Sequence, residues 1–75
     1  MLTLYDIPCE ASARILSISE SSTMYQRLSD LGFIPNTIIK PLFKSPLGEP
    51  TAFSVRGSVI VLRREYQKQI FVEVV

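Results

Sequence analysis

The stretch Arg27–Thr37 (RLSDLGFIPNT) constrains the fold more than any other part of the chain, because two side-chain patterns meet in it. Before its centre, apolar residues recur at helical spacing, which predicts a short helix over residues 24–31, held onto a sheet by one apolar stripe. Gly32 comes next, and glycine commonly ends a helix because it adopts positive φ without a steric penalty. The stretch therefore predicts a helix that turns at once into a strand. The stripe consists of Met24, Leu28 and Leu31.

The residues around this corner have predicted mechanical roles. Phe33 and Ile34 carry apolar bulk into the core, and Asn36 can adopt the left-handed backbone that the turn into the strand requires. At the start of the helix, Thr23 and Gln26 have the spacing of a capping box. The corner is therefore predicted to be a structural element that holds its neighbours in place, and not an active site.

Five segments of branched and alternating apolar residues predict β-strands. Pro41 interrupts the second segment and indicates a sheet edge or a bulge, because proline cannot donate to a ladder. A loop rich in proline and glycine over residues 45–50 precedes the third segment, and Arg56-Gly57 predicts a tight turn after it. Five short strands and one helix indicate an all-β fold, a small closed or nearly closed barrel. The strand segments are residues 13–19, 37–44, 51–55, 58–63 and 70–74.

Alternation within the strands predicts which side chains face the core. In the first strand we expect Leu16 and Ile18 to point inward and Ile15 outward, and in the fourth we expect Ile60 and Leu62 inward. The remaining outward apolar side chains predict a protein interface, since contiguous exposed apolar area usually marks one. Two alternatives stay open: the helix and loop cover these side chains, or the register is shifted by one residue. The outward set is Ile38, Leu42, Val59, Val61 and Phe71.

Composition narrows the functional classes. The chain has 75 residues, 47% of them hydrophobic, which fits a single domain over residues 1–75 with a dense core. Its net charge is +1 and its basic residues are dispersed, which argues against a nucleic-acid partner. No apolar run approaches the roughly 18 residues that span a bilayer, and no signal peptide is recognisable, so we expect no direct membrane insertion. The single cysteine, Cys9, fits a reducing compartment and is predicted to be a small half-buried residue.

Catalytic and metal-binding chemistry lack candidates in the sequence. There is no histidine, and Cys9 has no partner cysteine, so neither a tetrahedral zinc site nor a nitrogen-rich iron site can be assembled within one chain. The carboxylates show no clustered spacing. The serines have no imidazole as a base, and the three glycines are too far apart to cradle a phosphate. We expect no catalytic residue, no metal ligand and no cofactor.

Two sequence blocks carry a resemblance to a known family. The block R-L-x-D-L-G-F-x-P occupies Arg27–Pro35, and the loop P-L-G-[DE]-P occupies Pro46–Pro50, followed by Val55–Gly57. With these residues the chain resembles the ferrous iron transport protein A (FeoA) family of small SH3-like domains over nearly its whole length. Two positions depart from the pattern, because Glu10 and Asn36 stand where the family usually has glycine.

The resemblance implies an SH3-like barrel of about five strands with one short helix between the first two. It implies a non-enzymatic, cytoplasmic accessory protein of bacterial ferrous iron uptake that acts by protein–protein interaction on the cytoplasmic region of a FeoB-like membrane transporter. Because the resemblance extends to the module that ends certain metal-dependent repressors, a metal-responsive regulatory module is the alternative. It predicts binding to a transcription factor or transition metal ion binding. A polyproline-binding adaptor is disfavoured by the absence of tryptophan. Weak homo-oligomerisation stays open.

We predict a partner-binding surface from three parts of the chain: the exposed side of the helix, the tip of the proline-bracketed loop, and the outward positions of the fourth strand. Loops held by rigid scaffolds often carry function. A loop that is only a rigid connection is the alternative reading. The predicted partner-binding residues are Met24, Tyr25, Arg27, Leu47, Gly48, Glu49, Val59 and Val61.

Overall fold

The computed structural model describes residues 2–47 and 49–75. A 3-10 turn at Leu4–Asp6 leads into the sheet. The elements that follow in chain order are β1 (Ala13–Ile18), α1 (Tyr25–Asp30), β2 (Ile38–Lys44), β3 (Thr51–Val55), β4 (Ser58–Leu62), α2 (Arg64–Gln67) and β5 (Ile70–Val74). Of the described helices the longest has 6 residues, and none could cross a membrane. The predicted architecture, all-β with a short helix between the first two strands, is confirmed.

The five strands form one antiparallel sheet in the order β4-β3-β2-β1-β5. Every strand, α1 and the segment around the 3-10 turn contribute side chains to a single buried cluster. One sheet can bring the inner faces of its two outermost strands together only by curling, which gives the barrel-like fold that the sequence predicts. The cluster consists of Leu4, Ile7, Ala13, Ile15, Ile18, Leu28, Phe33, Ile39, Phe53, Val55, Leu62, Ile70 and Val72.

Helix α1 ends in a Schellman motif at Gly32, whose φ is +111°. The Phe33 N–H donates to the Leu28 carbonyl at 3.0 Å, and the Gly32 N–H donates to the Ser29 carbonyl at 3.1 Å. Leu28 and Phe33 are both fully buried, so the apolar contact typical of this motif anchors the helix. The predicted core role of Leu31 is wrong. Leu31 is the C-cap and is 42% exposed, because the chain reverses immediately after it.

The start of α1 also differs from the prediction. Met24 is the N-cap residue, and its N–H donates to the Ser22 hydroxyl at 3.0 Å, so the predicted Thr23–Gln26 capping box is wrong. The same hydroxyl hydrogen-bonds to the Gln69 side chain just before β5, which ties the helix start to the sheet. Beyond the helix, Asn36 adopts φ +72°, as predicted.

A β-bulge in β1 overturns the predicted facing of Ile15 and Leu16, whereas Ile18 is buried as predicted. Leu16 has no partner of its own in β5, because Ile15 pairs with Val72 and Ser17 pairs with the adjacent residue of β5. The extra residue shifts the alternation by one position. Ile15 is therefore buried together with Ile18, whereas Leu16 is 40% exposed.

The two edges of the sheet differ. The outer edge of β5 is covered by the N-terminal segment, since Thr3 bridges Phe71 and the Val72 N–H donates to the Leu2 carbonyl at 3.0 Å. This cover explains why Phe71, predicted to be an exposed outward residue, is only partly exposed. On the opposite side, no residue of the ranges 2–47 and 49–75 pairs with the outer edge of β4. Within the described sheet, β4 is the open edge strand.

Candidate partner-binding surface

Three large apolar side chains lie exposed on the outer face of the sheet, where β2, β3 and β4 run side by side. Val61 stands opposite Ala52, and Ala52 stands opposite Phe43, so these residues form one row across three strands. Val59 lies two residues before Val61 and therefore shares its face. The side chains of Phe43, Val59 and Val61 are 64%, 62% and 58% exposed. We call Phe43, Ala52, Val59 and Val61 the apolar face.

Phe43 was missed by the sequence prediction, which placed Leu42 outward instead. Pro41 is paired with Phe53 and Phe43 with Ala52, so Leu42 is the extra residue of a bulge. The bulge turns Phe43 outward, and Leu42, which the sequence predicts to face outward, is partly exposed. The proline was the available signal, because a proline inside a sheet indicates a bulge and a bulge shifts every side chain after it.

Basic residues border the apolar face. Lys40 lies in the cross-strand row of Ser54 and Val59. Arg56 is in the turn before β4 and Arg63 follows β4, and both are exposed. Within the described part of the chain, neither of these two arginines forms an ion pair. The apolar face therefore has a positively charged rim.

A second predicted region, the outer side of α1, forms a groove. Its volume is about 550 Å³, and both Met24 and Arg27 line it. The exposed Leu31, which the sequence had assigned to the core, supplies part of its apolar wall. Tyr25 is 45% exposed and lies outside the lining. We call this the helix groove, and it is lined by Thr23, Met24, Gln26, Arg27, Asp30 and Leu31.

The third predicted region, the loop between β2 and β3, is braced from within. The Ser45 N–H donates to the Pro50 carbonyl at 3.2 Å, and the Glu49 N–H donates to the Ser45 hydroxyl at 3.1 Å. The Ser45 hydroxyl also hydrogen-bonds to the Glu49 carbonyl. Leu47 is 92% exposed, while Gly48 lies outside the described residues. The loop thus holds an exposed leucine on a closed, hydrogen-bonded base.

The Glu49 side chain forms a hydrogen bond and an ion pair within the protein. Its Oε1 accepts the backbone N–H of Arg64 at 2.9 Å, and its Oε2 lies 3.7 Å from the Arg64 guanidinium. Arg64 is the first residue of α2, so the carboxylate satisfies one of the free N–H groups at the start of a helical turn. The loop is in this way fastened to the chain that follows β4.

The three predicted regions are spread along the β3–β4 hairpin and do not form one patch. At one end, Gly32 of the corner lies against Val55 and Arg56, whose side-chain atoms are 3.4 Å and 3.5 Å from where a Cβ of Gly32 would be. At the other end, the loop enters β3 at Thr51. The five residues of β3 separate the two ends by roughly 13 Å. Val59 and Val61 lie between them along β4.

The described residues offer no cluster of metal-binding side chains. Among residues 2–47 and 49–75, no group of three or more Cys, Asp or Glu side chains lies close enough to hold a metal ion. Cys9 is exposed, so its predicted half-buried position is wrong. It precedes Glu10, which adopts the left-handed backbone at φ +72° and donates its N–H to the Pro41 carbonyl at 2.9 Å. Glu10 thus takes the conformation that a glycine would take there.

Asp6 accepts two hydrogen bonds from Thr3. The Thr3 N–H donates to Asp6 Oδ2 at 2.8 Å, and the Thr3 hydroxyl donates to the same oxygen at 3.1 Å. These bonds favour the ionised form and lower the pKa of Asp6 below its ordinary value of 3.8. The pair caps the 3-10 turn, and Asp6 is therefore a structural carboxylate.

The comparison with family models identifies one family. The model of the FeoA domain matches residues 2–74. The solution structure of iron(II) transport protein A from Clostridium thermocellum is 30% identical with a TM-score of 0.92, and the match covers 99% of this chain and 46% of that one. The chain thus spans less than half of that protein. No curated protein matched the sequence.

Two further structures define the fold. The zinc-complexed FeoA of Stenotrophomonas maltophilia is 27% identical with a TM-score of 0.86, over 97% of this chain and 91% of that one. It is described as a prokaryotic SH3 domain protein and a candidate activating factor of bacterial ferrous iron transport. ScaR with bound Cd²⁺ has a TM-score of 0.84 at 20% identity, over 97% of this chain and 35% of that one, and shares the fold alone. The predicted SH3-like fold is confirmed.

Proposed function

The chain belongs to the FeoA domain family, and on that premise we propose that it is a non-enzymatic, cytoplasmic accessory protein of bacterial ferrous iron uptake. It acts by binding the cytoplasmic region of a FeoB-like membrane transporter. The description of the Stenotrophomonas maltophilia relative as a candidate transport activating factor supports this assignment. We treat residues 1–75 as a single FeoA-like domain.

The apolar face is the observation that best supports a role in binding another protein. Burial of one Val or Phe side chain contributes about 1.5–3 kcal/mol, so three such side chains at close to 60% exposure leave roughly 3–5 kcal/mol of burial free energy for a partner to gain. Isolated exposed apolar residues are ordinary, but here Phe43 and Val61 share one cross-strand row and Val59 extends it. A protein partner is the kind of ligand that such a face fits.

The regulatory alternative has no comparable support. The likeness to ScaR, at 20% identity, extends to the fold alone. The described residues offer no cluster of metal-binding side chains on which metal sensing could rest. Anaerobic calorimetric titration with Fe(II) or Mn(II) discriminates the two functions, because micromolar binding by the isolated chain would favour the regulatory module.

The proposed function is tested by iron uptake and binding measured together. In cells that keep the transporter but lack this chain, we expect slow uptake of radiolabelled Fe(II) that the parent chain restores. The purified chain should also bind the transporter's cytoplasmic region. Uptake that is the same with and without the chain, together with no detectable binding, would contradict the proposal.

A further inference from the structure

We propose that the open edge of β4 binds an extended, acidic-flanked segment of a partner protein, which adds to the sheet as a further strand. The inference rests on the proposed function for the identity of the partner. It deepens that function by assigning the surface that binds the partner and the kind of segment that this surface binds. Three observations carry it: the backbone groups at the edge, the apolar face beside them, and the charges at both ends.

The hairpin turn fixes which backbone groups point to the open edge. Arg56 and Gly57 have φ values of +51° and +83°, as in a two-residue turn with both central residues left-handed. The pair that closes such a turn, Val55 and Ser58, is hydrogen-bonded, and hydrogen-bonded pairs then alternate along the ladder. The N–H and C=O groups of the intervening residues of β4 therefore face away from β3. These residues are Val59 and Val61.

The edge groups lack protein partners in the part of the chain that the structure describes. None of the backbone hydrogen bonds between described residues outside the ladders involves Val59 or Val61. Natural sheets usually protect such an edge by covering it, as residues 2 and 3 cover β5 here. An added strand could form up to four main-chain hydrogen bonds with these two residues.

The apolar face requires that this strand carry apolar side chains. A strand paired with β4 places alternate side chains directly beside Val59 and Val61, at the spacing of cross-strand neighbours. Those side chains would continue the row that runs from Phe43 through Ala52 to Val61. Only a strand can both hydrogen-bond to the backbone groups of the edge and place its side chains beside this row. The occupant is therefore an extended segment rather than a helix.

The charges identify the occupant as acidic and argue against a second copy of this chain. Arg56 precedes β4, Arg63 follows it, and both are exposed. Two β4 strands paired antiparallel about Ile60 would bring Arg56 of one copy close to Arg63 and Arg64 of the other. That juxtaposition of like charges is unfavourable, whereas acidic residues flanking an apolar core would be attracted at both ends.

The test uses the full chain and a synthetic probe. The probe is a peptide of alternating Val and Thr with two Glu residues at each end, and the matched controls carry Lys at the ends or Pro at the centre. Upon saturation with the probe, we expect slowed amide hydrogen exchange at Val59 and Val61 and little change in the helix groove. The Lys-flanked and Pro-centred peptides should bind at least about tenfold more weakly, because they lose charge complementarity or strand pairing.

Substitutions in the chain itself test the same site. Val61→Pro removes an edge donor without touching the ladder to β3, and we expect it to weaken binding of the transporter's cytoplasmic region about tenfold or more. The control Val61→Thr keeps the backbone groups and should weaken it less than about threefold. Circular dichroism checks the fold of both variants, and the exchange experiment on the parent chain needs no variant.

Three other outcomes separate the failure of this inference from the failure of the proposed function. Perturbation confined to the helix groove on adding the transporter region would place binding elsewhere while leaving the proposed function intact. Concentration-dependent dimers with protected Val59 and Val61 amides would replace the acidic segment with a second copy. Probe binding at β4 without any binding of the transporter region would support the edge as a strand-accepting site and contradict the proposed partner.

Discussion

Glu49 Oε1 accepts the backbone N–H of Arg64 at 2.9 Å and thereby joins the β2–β3 loop to the start of α2. The sequence had placed Glu49 among the partner-binding residues on the loop tip. In the free protein its carboxylate is already engaged, whereas Leu47 of the same loop, at 92% exposure, is available to a partner. The loop and the end of β4 are consequently held together as one structural unit.

Replacing Glu49 separates its two interactions. Glu49→Gln keeps an oxygen acceptor for the Arg64 N–H but loses the 3.7 Å ion pair, which is partly exposed and therefore worth about 0.2–1 kcal/mol. Glu49→Ala loses both and should lower the free energy of unfolding by roughly a further 0.5–1.5 kcal/mol. Urea denaturation measures the two variants, and amide exchange at Arg64 should quicken mainly in Glu49→Ala. Equal losses would show that the hydrogen bond contributes nothing.

Leu28 and Leu31 should respond oppositely to truncation. Leu28 is fully buried against the core, so Leu28→Ala should lower the free energy of unfolding by about 2–5 kcal/mol. Leu31 is 42% exposed, and Leu31→Ala should cost less than about 1 kcal/mol. Chemical denaturation with matched m-values provides the comparison. A large loss in Leu31→Ala would mean that this side chain belongs to the core after all.

Gly32 should tolerate a side chain poorly, because its backbone adopts positive φ. At φ +111° a side chain is strained, and Gly32→Ala should destabilise the protein by about 1–3 kcal/mol. The matched control is Asn36→Gly in the same corner. Its φ of +72° suits glycine, and relief of strain offsets the greater freedom of the unfolded chain, so the change should stay within about 1 kcal/mol. Thermal melts of both variants show which substitution costs more stability. A Gly32→Ala variant as stable as the parent would contradict the Schellman geometry.

Asp6 should make stability depend on pH in the acidic range. Its pKa is lowered in the folded state, because it accepts hydrogen bonds from Thr3. The ionised form is therefore favoured by folding, so its contribution is present above the ordinary value of 3.8 and disappears as the pH falls through the folded-state pKa. The melting temperatures of the parent and Asp6→Ala should differ at neutral pH and converge below that pKa. A difference that persists at lower pH would assign the effect to something other than ionisation.

The sequence predicted the element order and the corner because these depend on local chemistry. Gly32 and Asn36 take the positive φ values that their residue types allow, and Arg56-Gly57 forms the expected turn. The facing of β1 and the outward position of Phe43 could not be obtained from alternation alone. Each depends on a bulge, which alternation assumes to be absent.

The candidate surface was predictable only in part, because alternation predicts side-chain facing correctly where a strand has no bulge. Val59 and Val61 lie in β4, which has no bulge in its ladder with β3, and both are exposed as predicted. The helix groove is lined by Met24, Arg27 and Leu31, and this arrangement depends on the exact residue at which α1 ends. Sequence patterns predict helix ends only to within a few residues. The engagement of Glu49 by Arg64 joins residues 15 positions apart and has no local signal.

The most direct test of the account is an NMR titration of the isotope-labelled chain with the transporter's cytoplasmic region. We expect amide shifts that saturate and cluster at Phe43, Val59 and Val61, with Phe43→Ser weakening the interaction while leaving the fold unchanged. Phe43 is 64% exposed, so its loss should affect binding and not stability. A spectrum that stays unchanged at millimolar concentrations of the transporter region would contradict the account.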